Sequence, residues 1–314
     1  MNKISKYFFR TILLLFVLAN VITAFHAYKF THFYDRDEFV QKEKADKNGW
    51  DIAKEVFFGI NLVKRLNAPV EDSSVQTIQL VTKDELKIES WYIPTATQPK
   101  GTVILFHGHG GTKSGVVREA SEFRNMGYNT MMPDFRAHGN SDGNSCTIGY
   151  HETEEVKLAY DFIQQKGEKN IVLWGISMGA AAISKAMVDY PLQPKKLILE
   201  MPFGSIVEAT GGRITMMGVP AEPLATMITF WGGIEHGFWA FNMKPANFAK
   251  QINVPTLLQW GRHDARVSQV ETDRIYANLP AKKRLVIYEN SAHESLCKKE
   301  NEKWLAEVSS FLAN

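Results

Sequence analysis

Ile171-Val172-Leu173-Trp174-Gly175-Ile176-Ser177-Met178-Gly179-Ala180-Ala181-Ala182 changes character twice in quick succession. The four apolar residues at its start suit a strand buried on both faces, and the alanines at its end suit a helix. Between them stands G-x-S-x-G. A serine in so tight a turn projects its hydroxyl clear of the sheet. Its flanking glycines are needed because side chains there would collide with neighbouring backbone. The small alanines let the helix N-terminus approach the strand, so the helix dipole and the Met178 N–H can face developing negative charge. As a bare string the motif arises by accident in roughly one chain in ten of this length. The strand, turn, helix context is what carries information, since a simple N-cap serine leaves both glycines unexplained.

The same alternation runs outward on both sides. Short apolar runs at 102–106, 130–132, 196–199, 255–260 and 284–288 predict further buried strands. Helical patterns lie at 114–126, 152–165, 180–190, 269–278 and 298–312. This order predicts an α/β fold with a mostly parallel sheet covered by helices on both faces. Two β-rich runs, 75–82 and 86–93, flank a Lys83-Asp84 turn and predict an antiparallel pair at a sheet edge. From Phe203 to Gln251 the rhythm breaks; the segment is rich in Gly, Met and aromatic residues and predicts a small cap inserted between two strands.

A hydroxyl at neutral pH needs a base, and the base needs an acid to set its tautomer and stabilise the imidazolium. Gly261-Arg262-His263-Asp264 puts a carboxylate just past the strand at 255–260, and Ser291-Ala292-His293-Glu294 puts an imidazole after the last strand. Chain order Ser177, Asp264, His293 is the one this architecture requires. His138, His151 and His236 compete as bases, but none follows a last strand. A second oxyanion donor is expected from His107-Gly108-His109-Gly110-Gly111, where glycines let the backbone turn inward; the His109 amide is the expected partner of the Met178 amide. The His107, His109 pair also raises metal binding. A metal hydrolase would want further histidines and an aspartate close behind, and glycines stand there instead.

With these motifs the chain resembles the α/β-hydrolase superfamily, in the branch of small serine esterases and of monoglyceride-lipase-like and serine-peptidase-like enzymes. The resemblance covers roughly Val75 to the C-terminus. It extends to Asp134-Phe135-Arg136-Ala137-His138-Gly139-Asn140-Ser141-Asp142-Gly143, which is similar to the family's D-x-R-G-H-G-x-S-x-G loop, with Ala137 in place of a glycine. In relatives that loop shapes the site without performing chemistry, and the resemblance implies the same role here. Family acids sometimes sit one strand earlier than Asp264, so the resemblance implies Glu200 as the alternative acid. It implies the α/β-hydrolase fold and no cofactor or metal. A serine nucleophile disfavours the family's dehalogenases and epoxide hydrolases, which carry aspartate at that place.

Composition narrows the function classes. The chain has 314 residues, 45% hydrophobic and 22% charged, with 36 basic and 34 acidic side chains. That is ordinary globular composition, and so small a net charge offers no field to attract nucleic acid. Two cysteines without CxxC spacing, Cys146 and Cys297, exclude zinc ribbons and disulfide frameworks, and they are expected to be free rather than bonded.

Lys3, Lys6 and Arg10 precede a run, 11–28, whose only titratable side chains are His26 and Tyr28. As a helix it spans roughly 27 Å, close to the ~30 Å hydrocarbon core, whereas a cleaved signal needs a shorter run and a small-residue exit. Exits at 17–19 and 22–24 are not clean. An uncleaved signal-anchor over 1–28 is expected, with a secreted or periplasmic product after signal cleavage, or a buried helix of the globular domain, as the alternatives. Lys29, Arg36 and Lys42 balance the leading charges, and the catalytic domain is expected on the extracytoplasmic side. Residues 35–48 predict a charged spacer. Trp50, Ala53, Phe57, Ile60 and Val63 predict one apolar stripe on a helix ending before Pro69, packed against the globular domain rather than lying on a bilayer. The organisation expected is thus 1–28 anchor, 29–70 spacer and amphipathic helix, and 71–314 hydrolase domain with a cap at about 203–251.

The activity expected is acyl transfer to water from a carboxylic ester or lipid. Thioester or amide cleavage on the same site is the near alternative. A zinc-dependent hydrolase and a catalytically silent binding protein are the alternatives of another class. The cap carries no readable residue code for the substrate, and oligomeric state is not legible.

Overall fold

Helix α1 (Lys3–Thr31) opens the chain in a computed structural model that describes residues 3–35 and 47–314. Its large apolar side chains from Ile4 to Val21 are exposed, and over Ile4–Thr31 it is long and apolar enough to cross a membrane. Thr23, Ala27 and Thr31, four residues apart and therefore on one face, are buried. The helix runs past the expected boundary at Tyr28 and joins the globular part. The Cys146 N–H donates to Thr31 O (2.9 Å) and the Phe33 N–H to Asn144 O (2.7 Å).

Strand β1 (Phe33–Tyr34) pairs in parallel with β2 (Leu62–Val63), and between them lies α2 (Gly49–Phe58). Most of the expected spacer at 35–48 falls outside the described residues. Asn48 begins α2 with a capping box, its Oδ1 accepting from the Trp50 and Asp51 amides while Asp51 Oδ2 accepts the Asn48 N–H. The helix differs from expectation in two ways. It stops at Phe58, because Gly59 turns to φ 80°, so Ile60 and Val63 lie beyond it. No residue of α2 is buried: Trp50 is 69% exposed, and Ile52, Val56, Phe57 and Phe58 are exposed as well. The apolar stripe is thus not covered by the globular domain. The contacts of α2 are with α1, through the edge-to-face Phe25–Phe58 pair and the His26 Nε2–Val56 O bond at 2.9 Å.

The rest is one eight-stranded sheet with helices. In chain order it comprises β3 (Gln76–Val81), β4 (Lys87–Ile93), β5 (Thr102–Phe106), α3 (Val117–Asn125), β6 (Asn129–Pro133), α4 (Thr153–Gln165), β7 (Ile171–Ile176), α5 (Met178–Asp189) and β8 (Lys196–Glu200). Then follow α6 (Ile206–Thr215), α7 (Leu224–Glu235), α8 (Pro245–Phe248), β9 (Thr256–Gly261), α9 (Gln269–Asn278), β10 (Lys283–Tyr288), α10 (Leu296–Lys299) and α11 (Asn301–Ala313). The spatial order is β10-β9-β8-β7-β5-β6-β4-β3. Only β4 runs against its neighbours, pairing antiparallel with both β3 and β6. Every residue of β5, β6 and β9 is buried, the signature of strands covered on both faces. Between β8 and β9 the chain forms α6, α7 and α8 and no strand. Helix α7 receives the inner end of α1 in a small cluster of Ala27, Ile214, Ala225 and Ile228. The Trp231 indole N–H donates to Asn20 Oδ1 (3.2 Å), and His236 Nε2 bonds Thr31 Oγ1 (2.8 Å).

Glu200, the alternative acid, ends β8 with its carboxyl in the core. Its Oε1 accepts from the Trp174 indole (2.9 Å), the Trp304 indole (2.7 Å) and Gln259 Nε2 (3.0 Å). Burial pushes this carboxyl up to about 8, with Glu119 adding to the effect and the indole bonds opposing it. The folded state therefore holds a proton that the unfolded chain releases near the ordinary glutamate value. Stability from this group is full in acid and is lost as pH rises toward about 8. Glu200→Gln keeps the shape and the acceptor but cannot ionise. Its melting temperature is expected to gain on wild type between about pH 5 and pH 8. A pH-independent difference in thermal melts would contradict the assignment.

Candidate active site

The turn after β7 puts Ser177 at φ 53°, ψ −115°, a conformation L-residues rarely adopt. Neighbouring backbone holds it there. The Ser177 N–H donates to Glu200 O (2.8 Å), and Ser177 O accepts the Ala181 N–H (3.0 Å). The flanking glycines are required by space. A Cβ on Gly175 would lie 2.7 Å from the Ala180 nitrogen, and one on Gly179 would lie 2.3 Å from Phe106 O. Helix α5 can therefore start directly against β5.

The three distant side chains expected to cooperate meet here. His293 Nε2 is 2.9 Å from Ser177 Oγ, and His293 Nδ1 is 2.7 Å from Asp264 Oδ2. The Asp264 carboxylate is buried, and its other oxygen accepts the Arg266 and Val267 amides at 2.7 and 2.9 Å. Gly261 lets the two loops touch, since a Cβ there would lie 2.6 Å from both Ser291 O and Ala292 O. Glu300 pins the histidine loop by accepting from Ser291 Oγ (2.7 Å) and the Asn290 amide (2.9 Å). His138, His151 and His236 make other contacts.

The loop after β5 runs beside Ser177, with the Gly108 Cβ position 3.4 Å from Ser177 Cβ. Met178 opens α5, so its amide has no intrahelical acceptor. The His109 amide likewise donates to no backbone group among the described residues. Ser177, His293 and His109 line a cavity of about 840 Å³. Its walls include Phe30 at the end of α1, Phe33 on β1, Arg213 on α6 and Met216 just after it.

This arrangement can be set beside known proteins. Residues 97–229 match the family described as serine aminopeptidase, S33, a span that includes Ser177 and stops short of Asp264 and His293. The chain is 24% identical to the uncharacterized protein YqkD of Bacillus subtilis over 72% of this chain and 75% of that one. It is 29% identical to lysophosphatidylserine lipase ABHD12 of Danio rerio, over 40% of this chain and 34% of that protein. The Pyrococcus furiosus esterase Pf2001 superposes with a TM-score of 0.66 at 20% identity, covering 81% of this chain and 96% of the esterase. The chain has the α/β-hydrolase fold. The proteins it resembles include an esterase and a lipase.

Three further histidines of this chain hold loops in place, each burdened by burial. His107 Nδ1 donates to Gly108 O (2.8 Å), and its Nε2 accepts the Phe135 amide (3.1 Å). His138 donates from Nδ1 to Arg136 O (2.8 Å) and accepts the Gly110 amide at Nε2 (3.0 Å). His109 donates from Nε2 to Phe30 O (3.0 Å) and accepts from Arg213 Nη2 (3.3 Å). Burial lowers the pKa of all three, that of His138 to about 3, so they stay neutral and can both donate and accept. Every ring nitrogen has a protein partner, which accounts for the His107, His109 pair without a metal.

The Asp134–Gly143 loop has a structural role. Asp134 is buried, ion-paired with Lys113, and accepts from Asn67 Nδ2 (2.7 Å) and the Asn140 amide (3.0 Å). Arg136 binds both oxygens of buried Glu155, at 2.7 and 3.2 Å. Ala137, the departure from the family's glycine, sits at φ 63°, the left-handed region a glycine would occupy without strain. Cys146 and Cys297 are buried and free.

Sequence reasoning missed two contributors to the site. The end of α1 forms a wall of the cavity, and Arg213 reaches His109 in the loop after β5. The first was hidden because a membrane-length apolar run swamps any stripe within it. The second was hidden because one arginine in a helix carries no spacing signal.

Proposed function

We propose that this chain is a membrane-anchored serine hydrolase that cleaves carboxylic esters of lipid-like substrates. The observation that carries the proposal is the unbroken relay from Ser177 through His293 to Asp264, at 2.9 and 2.7 Å, on the floor of a large cavity. Ser177 Oγ attacks the ester carbonyl while His293 Nε2 takes its proton. Asp264 keeps the Nδ1–H tautomer and stabilises the imidazolium. The His109 and Met178 amides receive the oxyanion. The imidazolium then protonates the alkoxide leaving group, and water releases the acyl group by the same route.

Two observations support a lipid-like substrate at a bilayer. Side chains from Ile4 to Val21 on α1 and from Trp50 to Phe58 on α2 form exposed apolar surfaces, and the same α1 supplies a wall of the cavity. The burial of Thr23 favours an uncleaved anchor over cleavage at 22–24, which would remove that residue from its packing. The globular part is proposed to lie outside the cytoplasm, with 203–251 as a cap. An aminopeptidase reading is disfavoured because no carboxylate among the described cavity residues could pair with a substrate ammonium.

The test is fluorophosphonate labelling of the full chain, followed by p-nitrophenyl esters of increasing chain length and matched p-nitroanilides. Labelling, rising activity with chain length and poor anilide turnover are expected. An unlabelled wild type would end the proposal, and faster anilide than ester cleavage would replace esterase with amidase.

A further inference from the structure

Four cationic side chains, Lys29, Arg65, Arg213 and Arg266, line the cavity that holds Ser177 and His293, and no described lining residue is acidic. Arg213 is the informative one. Elsewhere the arginines Arg118, Arg124, Arg136, Arg262, Arg274 and Arg284 each meet a carboxylate within 3.2 Å. Arg213 meets none among the described residues. Its guanidinium lies 4.4 Å from the centre of the Phe30 ring and reaches His109 Nδ1 at 3.3 Å. Neither neighbour carries negative charge.

Packing brings a second guanidinium-bearing residue to the same wall. Gly212, beside Arg213, lies directly against Arg266, where a Cβ would be 2.3 Å from Arg266 O. Arg266 in turn is held in the acid loop by its amide bond to Asp264 Oδ1 (2.7 Å). Burial and the charge of Arg266 pull the Arg213 pKa down to about 10, so the charge is kept against both desolvation and repulsion. An anion between them relieves both penalties, and the guanidinium fork suits phosphate or carboxylate oxygens.

We infer that Arg213 and Arg266 form an anion subsite, and that the preferred ester is an amphiphile bearing a phosphate or carboxylate group. This rests on the esterase reading above. The two guanidiniums then set specificity by charge, while the relay carries the chemistry.

The experiment compares kcat/KM for 1-lauroylglycerol 3-phosphate and 1-lauroylglycerol with the full chain in neutral detergent. Wild type is expected to prefer the phosphate ester by about tenfold or more. Arg213→Gln and Arg266→Gln should each reduce that ratio, and the double variant should bring it near unity. Arg262→Gln, which removes an exposed arginine paired with Glu289, should retain it. A second arm measures binding of octyl phosphate and of octanoate to Ser177→Ala by calorimetry, independently of turnover. Tighter octyl phosphate assigns a phosphate ligand, and tighter octanoate a carboxylate. Equal binding to the chain with and without both arginines overturns the subsite, as does an unchanged substrate ratio in the double variant. If nothing is hydrolysed or labelled while anion binding still depends on the arginines, the esterase reading fails and the subsite stands.

Discussion

Ser177→Ala is expected to lower kcat toward p-nitrophenyl esters by about 10⁵- to 10⁶-fold and to abolish fluorophosphonate labelling. The loss is large because the hydroxyl is the only atom removed from the relay, and His293 cannot act covalently from its position behind Ser177 Oγ. A residual acceleration over water of about 10³-fold remains from the amides and from substrate binding. The fold should survive. Alanine meets the same φ 53° demand as serine, and the backbone bonds that hold the turn, to Glu200 O and from Ala181, do not use the hydroxyl. Melting curves of the two proteins should nearly coincide. A variant that stays folded and keeps more than a few per cent of wild-type activity would remove Ser177 from the chemistry.

The second large effect is expected at Asp264→Asn, at about 10⁴-fold in kcat. The direction follows from how the carboxylate is held. Oδ1 accepts the Arg266 and Val267 amides, which pin an oxygen at that place. The amide nitrogen of asparagine must then take the place of Oδ2, facing His293 Nδ1. A donor there turns the imidazole to the tautomer whose Nε2 carries hydrogen, and such a ring cannot take a proton from Ser177. Glu200→Gln, assayed beside it, should keep activity within about tenfold, because the Glu200 side chain bonds Trp174, Trp304 and Gln259 and not His293. Equal losses in the two variants would reopen the choice of acid.

Much of the sheet was legible because its strands are buried on both faces. Thr102–Phe106 and Lys196–Glu200 stand out as near-continuous β-rich runs, which no amphipathic helix would show. The relay was legible for a related reason. Each member follows a strand directly, and the ends of adjacent parallel strands lie at one rim, so order along the chain maps onto proximity in space. The α2 stripe could not be read as fully. Periodicity reveals that one face is apolar but not what covers it, and the positive φ at Gly59 that ends the helix after Phe58 leaves no trace in the spacing of Ile60 and Val63. The histidines His107, His109 and His138 were equally open, since their roles depend on backbone groups from Phe30, Phe135 and Gly110 that are distant in sequence.

The amino-acid sequence alone determined the α/β alternation, the glycine-flanked serine turn and the placement of Ser177, Asp264 and His293 after their strands, because each is written in local side-chain size and in position along the chain. Tertiary structure alone decided that α1 walls the cavity, that α2 stays uncovered and that Arg213 faces the cavity with no carboxylate partner among the described residues. Those depend on which distant surfaces meet, and burial, desolvation and charge pairing are properties of the meeting rather than of any segment by itself.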